Sequence, residues 1–100
     1  MTLAVLASGS GSNFQALIDA RVAITLLVCN VPGAKCLERA KAAGIEAVVV
    51  DHKAFPTRDA FDEALIGALK VRRVTKVVLA GFMRLLTPRF LAAFPEGVIN

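Results

Sequence analysis

Short apolar runs and amphipathic stretches take turns along this chain, and that alternation constrains the fold more than any other feature. Leu3 to Ala7, Ala23 to Val28, Ala47 to Val50, Val77 to Ala80 and Val98-Ile99 are rich in Val, Leu and Ile. They lack strict apolar/polar alternation, as strands buried on both faces do. Between them, Phe14, Leu17 and Ile18 recur at i, i+3 and i+4, and Phe61, Leu65, Ala68 and Leu69 at i, i+4, i+7 and i+8. Each set marks one face of a helix. The end signals agree. Ser12 and Gln15 form a capping box, Gly44 closes a second helix begun near Ala34, and Thr57 caps a third. Thr87-Pro88 supplies the N-cap and first residue of a short fourth helix that stops before Pro95. The βαβαβαβαβ pattern predicts an α/β fold, a Rossmann-like parallel sheet with helices on both faces and right-handed crossovers. Ligands of such sheets bind beyond the carboxyl ends of the strands, where strand order reverses. Function is therefore expected in loops 8–13, 30–35, 51–58 and 81–86.

Composition narrows the classes. The chain has 100 residues, 56% of them hydrophobic, which makes residues 1–100 a single domain with a core to bury. No apolar run approaches the roughly 20 residues that cross a bilayer, so a membrane role is not expected. The N-terminus lacks the basic stretch of a signal peptide, which predicts a cytoplasmic protein. Cys29 and Cys36 fit no zinc spacing beside the single His52, so free thiols and no metal are expected. The net charge of +4 permits an anionic partner. Its one basic cluster, Lys70, Arg72, Arg73 and Lys76, falls at the end of the third helix, where cations complement the macrodipole. With no Tyr or Trp to stack on bases, nucleic acid is not expected, and a phosphorylated small molecule suits the charge better.

Ser8-Gly9-Ser10-Gly11-Ser12-Asn13 leaves a buried strand and opens a helix, the arrangement that points free N–H groups at an anion. The dinucleotide fingerprint fails here. Its third glycine is Phe14, and the second strand ends Val28-Cys29-Asn30 with no acid for a ribose diol. No Gly-Lys-Ser/Thr follows, which excludes a P-loop. A small-anion cradle remains, against the plainer reading of a glycine turn with Ser12 as an ordinary cap.

The segment Leu6-Ala7-Ser8-Gly9-Ser10-Gly11-Ser12-Asn13-Phe14-Gln15-Ala16-Leu17 closely resembles the N-terminal motif of the phosphoribosylglycinamide formyltransferase (GAR transformylase) family. Residues 54–62, Ala-Phe-Pro-Thr-Arg-Asp-Ala-Phe-Asp, and residues 78–86, Val-Leu-Ala-Gly-Phe-Met-Arg-Leu-Leu, are similar to two further segments of that family, in order. The resemblance spans all 100 residues. It implies that Gly11, Ser12 and Asn13 hold the phosphate of phosphoribosylglycinamide, and that Gly81 lies where substrate and cosubstrate pass the backbone closely. It also implies that Met83, Arg84, Leu85 and Leu86 line the pterin pocket for 10-formyltetrahydrofolate, while Leu85 and Leu86 read equally well as core. Arg58 matches an arginine that helps bind the formyl-folate. A cation in the first turn of a helix is mildly disfavoured by the dipole, which favours a functional reading there. His52 has no counterpart and is assigned nothing.

Val98-Ile99-Asn100 matches the start of a motif that continues, in the family, to a His one residue further on. By that resemblance the Asn100 amide stabilises the oxyanion of a tetrahedral intermediate, and the His and a downstream Asp beyond residue 100 move the proton. The chain is accordingly expected to be the N-terminal half of a longer enzyme, inactive alone, with a homodimer left open. Two alternatives stand beside this: a related formyl-tetrahydrofolate enzyme, or a non-catalytic nucleotide- or phosphate-binding module.

Overall fold

Alternate residues of the first strand feed two separate cores, and this sets the layering of the molecule. A computed structural model describes residues 2–84 and 86–99. Its strands are β1 (Leu3–Ala7), β2 (Leu26–Cys29), β3 (Glu46–Val49), β4 (Lys76–Leu79) and β5 (Val98–Ile99). Its helices are α1 (Ser12–Asp19), α2 (Lys35–Ala43), α3 (Arg58–Lys70) and α4 (Pro88–Ala93), with one 3₁₀ turn at His52–Ala54. The strands form one parallel sheet in the order β3-β2-β1-β4-β5. Strand order thus reverses between β1 and β4.

Val5 and Ala7 of β1 pack with Leu27, Cys29, Phe14 of α1 and Cys36 and Ala40 of α2 on one face. Ala4 and Leu6 pack with Leu26, Val28, Phe61, Leu65 and Leu69 of α3 and Phe90 of α4 on the other. Full burial of each such Leu or Phe contributes roughly 1.5–3 kcal/mol. The predicted faces of α1 and α3 are the ones buried: Phe14, Phe61, Leu65 and Leu69 completely, Leu17, Ile18 and Ala68 in part.

The end signals hold for three helices. Thr57 Oγ1 accepts from Ala60 N–H at 3.1 Å, and Thr87 Oγ1 accepts from Phe90 N–H at 3.3 Å, with Pro88 in the first helical turn. Gly44 closes α2 at φ 72°. Two of the four residues of the basic cluster are engaged internally. Arg72 bonds Glu46 at 2.9 Å and the Ala68 carbonyl at 3.0 Å, and Lys70 Nζ sits 4.5 Å from the Phe94 ring centre.

Two strands differ from expectation. β2 begins at Leu26 rather than Ala23, because the chain leaving α1 turns through Arg21 at φ 62° and meets the sheet only at Thr25, whose N–H donates to Leu3 O. β3 is not buried on both faces. It lies at the sheet edge, where Glu46, Ala47 and Val49 are exposed. Among the described residues no helix is long and apolar enough to cross a membrane.

Candidate functional site

At the end of β1 the chain turns through Ser8, Gly9, Ser10 and Gly11 into α1. The structure corrects the capping box. Gly11, not Ser12, is the N-cap, in the left-handed region at φ 75° and ψ 25°, and no side chain caps the helix. Gln15 looks elsewhere: its Nε2 donates to Asp19 Oδ1 at 2.9 Å, and its Oε1 accepts from Arg39 Nη1 at 3.4 Å. Glycine takes the left-handed conformation at little cost, so the entry to the helix settles on Gly11 and leaves Ser12 inside. The consequence is chemical. The N–H groups of Ser12, Asn13 and Phe14 have no hydrogen-bond partner among the described residues, the first paired amide being Gln15 N–H on Gly11 O at 2.8 Å. These bare donors and the positive end of the helix dipole favour an anion.

Helix α2 holds this turn from behind. Cys36 N–H donates to Gly9 O at 3.2 Å, and Arg39 Nε donates to Ser10 O at 2.7 Å. A Cβ at Gly11 would stand 2.6 Å from Cys36 Cβ and 2.9 Å from its Cα, so close approach as well as φ requires glycine. Beneath the turn, Cys36 Sγ lies 3.4 Å from Cys29 Sγ, both thiols free and buried. Burial first, and then the Cys29 thiol, push the Cys36 thiol up to about 12. Ser8 is buried too. Its Oγ accepts from Met83 N–H at 2.8 Å, tying the loop after β1 to the loop after β4.

A cleft of about 470 Å³ opens in front of the bare helix end, at the carboxyl ends of β1 and β4. Its walls come from all four loops that the sheet rule selects: Ser8 to Asn13 after β1, Asn30 and Val31 after β2, His52 after β3, and Gly81, Met83 and Arg84 after β4. Gly81 makes its turn at φ 73°, Met83 is 80% exposed, and the Arg84 guanidinium carbon lies 5.9 Å from the Phe61 ring centre.

The structure therefore brings Gly11, Ser12, Asn13, Gly81, Met83 and Arg84 together. Leu86 is half-buried, packs against the core cluster that includes Phe61, and is absent from the cleft wall. Leu85 and Asn100 lie outside the described residues. Arg58 is not brought to the cleft. It is the exposed first residue of α3 and is absent from the cleft wall. His52, to which the sequence assigns nothing, is on that wall. Only its place after a strand pointed there, and a lone loop histidine has no pattern that separates a ligand from a solvated side chain. Asn30, 1% exposed, was likewise visible only as a loop residue.

Comparison with known proteins sets these features in a family. A family model described as formyl transferase matches residues 1–100. The chain is 44% identical over 106 residues to the trifunctional purine biosynthetic protein adenosine-3 of Drosophila pseudoobscura pseudoobscura, covering 98% of this chain and 8% of that protein. It is 40% identical over 105 residues to phosphoribosylglycinamide formyltransferase of Bacillus subtilis, covering 97% of this chain and 53% of that one. Among solved structures, glycinamide ribonucleotide transformylase 1 from Geobacillus kaustophilus superposes with a TM-score of 0.90 at 42% identity, covering 97% of this chain and 55% of that one. The chain thus spans about half the length of these bacterial proteins and a small part of the insect one. With a family model that matches all of residues 1–100 and a fold that superposes at a TM-score of 0.90, this chain belongs to the formyl transferase family.

Proposed function

We propose that the protein, at its natural length, transfers the formyl group of 10-formyltetrahydrofolate to the amine of 5'-phosphoribosylglycinamide, a step of purine biosynthesis. The observation that carries this reading is the uncapped N-terminus of α1, with the N–H groups of Ser12, Asn13 and Phe14 free at a cleft where strand order reverses. A phosphate ester matches those donors in charge and in number of acceptors. The names of the relatives supply the reaction class. In this reading Gly11, Ser12 and Asn13 hold the phosphate and Gly81 lets the substrate run close to the backbone. Met83, Arg84, Leu85 and Leu86 line the pterin in this reading, Met83 offering an exposed thioether and Leu86 the edge of the core, surfaces suited to a flat heterocycle. Arg58, which is not on the cleft wall, would meet the anionic end of the folate.

The amine attacks the formyl carbon, and the Asn100 amide N–H donates to the oxyanion of the tetrahedral centre; collapse of that centre breaks the formyl carbon's bond to the folate nitrogen, which leaves as tetrahydrofolate with the proton given up by the amine. Phosphate removal is the direct test. Phosphoribosylglycinamide should bind at least 100-fold more tightly than its dephosphorylated riboside by calorimetry, and NAD and AMP should not compete. Equal affinity for the two glycinamides refutes the reading. Asn100→Ala should lower kcat by about 10²–10³-fold, the loss typical of one oxyanion donor, with the KM of the glycinamide nearly unchanged.

A further inference from the structure

His52 stands half-buried on the 3₁₀ turn after β3, its ring edge-on to Phe61 with centroids 6.3 Å apart. Its Nδ1 lies 3.1 Å from the main-chain oxygen of Asn30 and 3.1 Å from that residue's Nδ2. The two contacts cannot both be hydrogen bonds with the amide in this orientation. A main-chain carbonyl only accepts, so Nδ1 carries a hydrogen, and an Nδ1–H cannot accept from an amide NH₂. The Asn30 amide must therefore turn its oxygen to the ring, an exchange of O and N that heavy-atom positions leave open. The other end of that amide is buried and has no partner among the described residues. Once turned, that end is an NH₂, a donor without an acceptor in a residue that lines the cleft.

The same bond fixes the imidazole. With Nδ1–H held by Asn30, the ring's variable atom is Nε2, which has no partner among the described residues. A neutral ring presents a lone pair there and repels an anion, whereas an imidazolium presents N–H and attracts one. We propose that His52 is a pH-dependent anion ligand of the cleft, oriented by Asn30, so that its protonation and the binding of a phosphate-like dianion favour each other. This rests on the phosphate reading of the α1 end.

The charged residues around the ring come from its own turn, from the loop after β4 and from α3. Asp51 and Lys53 share the turn, the Asp51 carboxylate accepting from Lys53 N–H at 2.9 Å. Arg84, from the loop after β4, also lines the cleft, its guanidinium carbon 5.9 Å from the Phe61 ring centre. From α3 comes Phe61 itself, and its neighbour Asp62 is turned to Thr87. The residues facing the cleft from the first two loops are Ser, Gly, Asn and Val, all uncharged. Aspartate, lysine and arginine ordinarily keep their charge between pH 5.5 and 8.5, while histidine changes its own.

Sulfate is the probe, because its charge is constant over that range. In NMR titrations of the protein at its natural length, sulfate should bind about tenfold more tightly at pH 5.5 than at pH 8.5, the scale of one charge-assisted hydrogen bond. His52→Gln should bind at the weaker level at both pH values, and His52→Lys at the tighter level at both. Sulfate binding that is independent of pH in the natural protein, or a slope retained in His52→Gln, overturns the role of His52 alone. No sulfate binding by the natural protein at either pH overturns the phosphate reading with it.

Discussion

Replacing Gly11 by alanine should cost more than its backbone angle explains, and a second glycine in the same chain isolates the excess. Gly11 and Gly44 have nearly the same left-handed φ, 75° and 72°. An L-residue there costs roughly 1–2 kcal/mol, offset by about 0.5 kcal/mol because alanine is less free than glycine in the unfolded chain. A Cβ at Gly44 meets nothing within 4 Å. Gly44→Ala should therefore lose about 1 kcal/mol. At Gly11 the new Cβ would stand 2.6 Å from Cys36 Cβ and 2.9 Å from Cys36 Cα, far inside the 3.5–4.0 Å optimum for carbon pairs. No rotation of the Cys36 side chain moves either atom. Helix α2 must back away, stretching the Cys36 N–H bond to Gly9 O, now 3.2 Å. Overpacking of this kind costs about 1–3 kcal/mol. Gly11→Ala should thus lose about 3 kcal/mol, some 2 more than Gly44→Ala, or about a 30-fold difference in the unfolding constant. Urea unfolding of the two variants, under identical conditions, measures it. If Gly11→Ala is no less stable than Gly44→Ala, the account of how α2 supports the anion turn is wrong.

Three further outcomes follow from single contacts. Asp62 Oδ2 accepts from Thr87 N–H at 2.8 Å and Thr87 Oγ1 at 2.5 Å, so Asp62→Ala strands two donors and should cost about 2–4 kcal/mol in urea unfolding, with Asp62→Asn losing clearly less because an acceptor oxygen remains. The Cys36 thiol, pushed up to about 12 from its ordinary 9.0, stays protonated and enclosed. Its contribution to stability is complete below pH 9 and is lost as pH rises towards 12. Iodoacetamide at pH 8 should accordingly leave Cys36 unmodified until the protein is unfolded, and prompt alkylation of the native state would contradict this burial. The Arg89 guanidinium, bonded to the Glu63 carboxylate, holds that carboxyl below the usual range. Such a pair stabilises above the ordinary carboxylate pKa and its contribution fades as pH falls through the lowered value. An NMR titration of Arg89→Ala should find Glu63 back in the ordinary range, and an unmoved midpoint would show that Arg89 is not the cause.

Much of the site was legible because it depends on local chemistry. Gly9 and Gly11 after an apolar run identify a tight turn into a helix, and the period of Phe61, Leu65 and Leu69 identifies the face of α3 that is buried. The threonine caps at Thr57 and Thr87 act within three residues, and both occur as expected. Edge position was not legible. Val48 and Val49 look like buried strand in sequence, yet whether a strand lies centrally or at an edge is settled by strand order, a property of the whole chain.

The sequence by itself determined the order of elements, most of their ends and the presence of a glycine-rich turn at the ligand edge, because propensity, capping and periodicity act over a few residues. Only the tertiary structure decided what that turn can do. The capping box gave way to Gly11 in the left-handed region, with α2 packed behind it through Cys36 and Arg39, and this left the amides of Ser12, Asn13 and Phe14 bare. Tertiary packing likewise drew His52 and Asn30 to the cleft from positions 22 residues apart, and kept Arg58 off its wall. The physical reason is the same in each case: which donors remain free is decided by contacts between segments distant in the chain, and those contacts exist only once the sheet has been assembled.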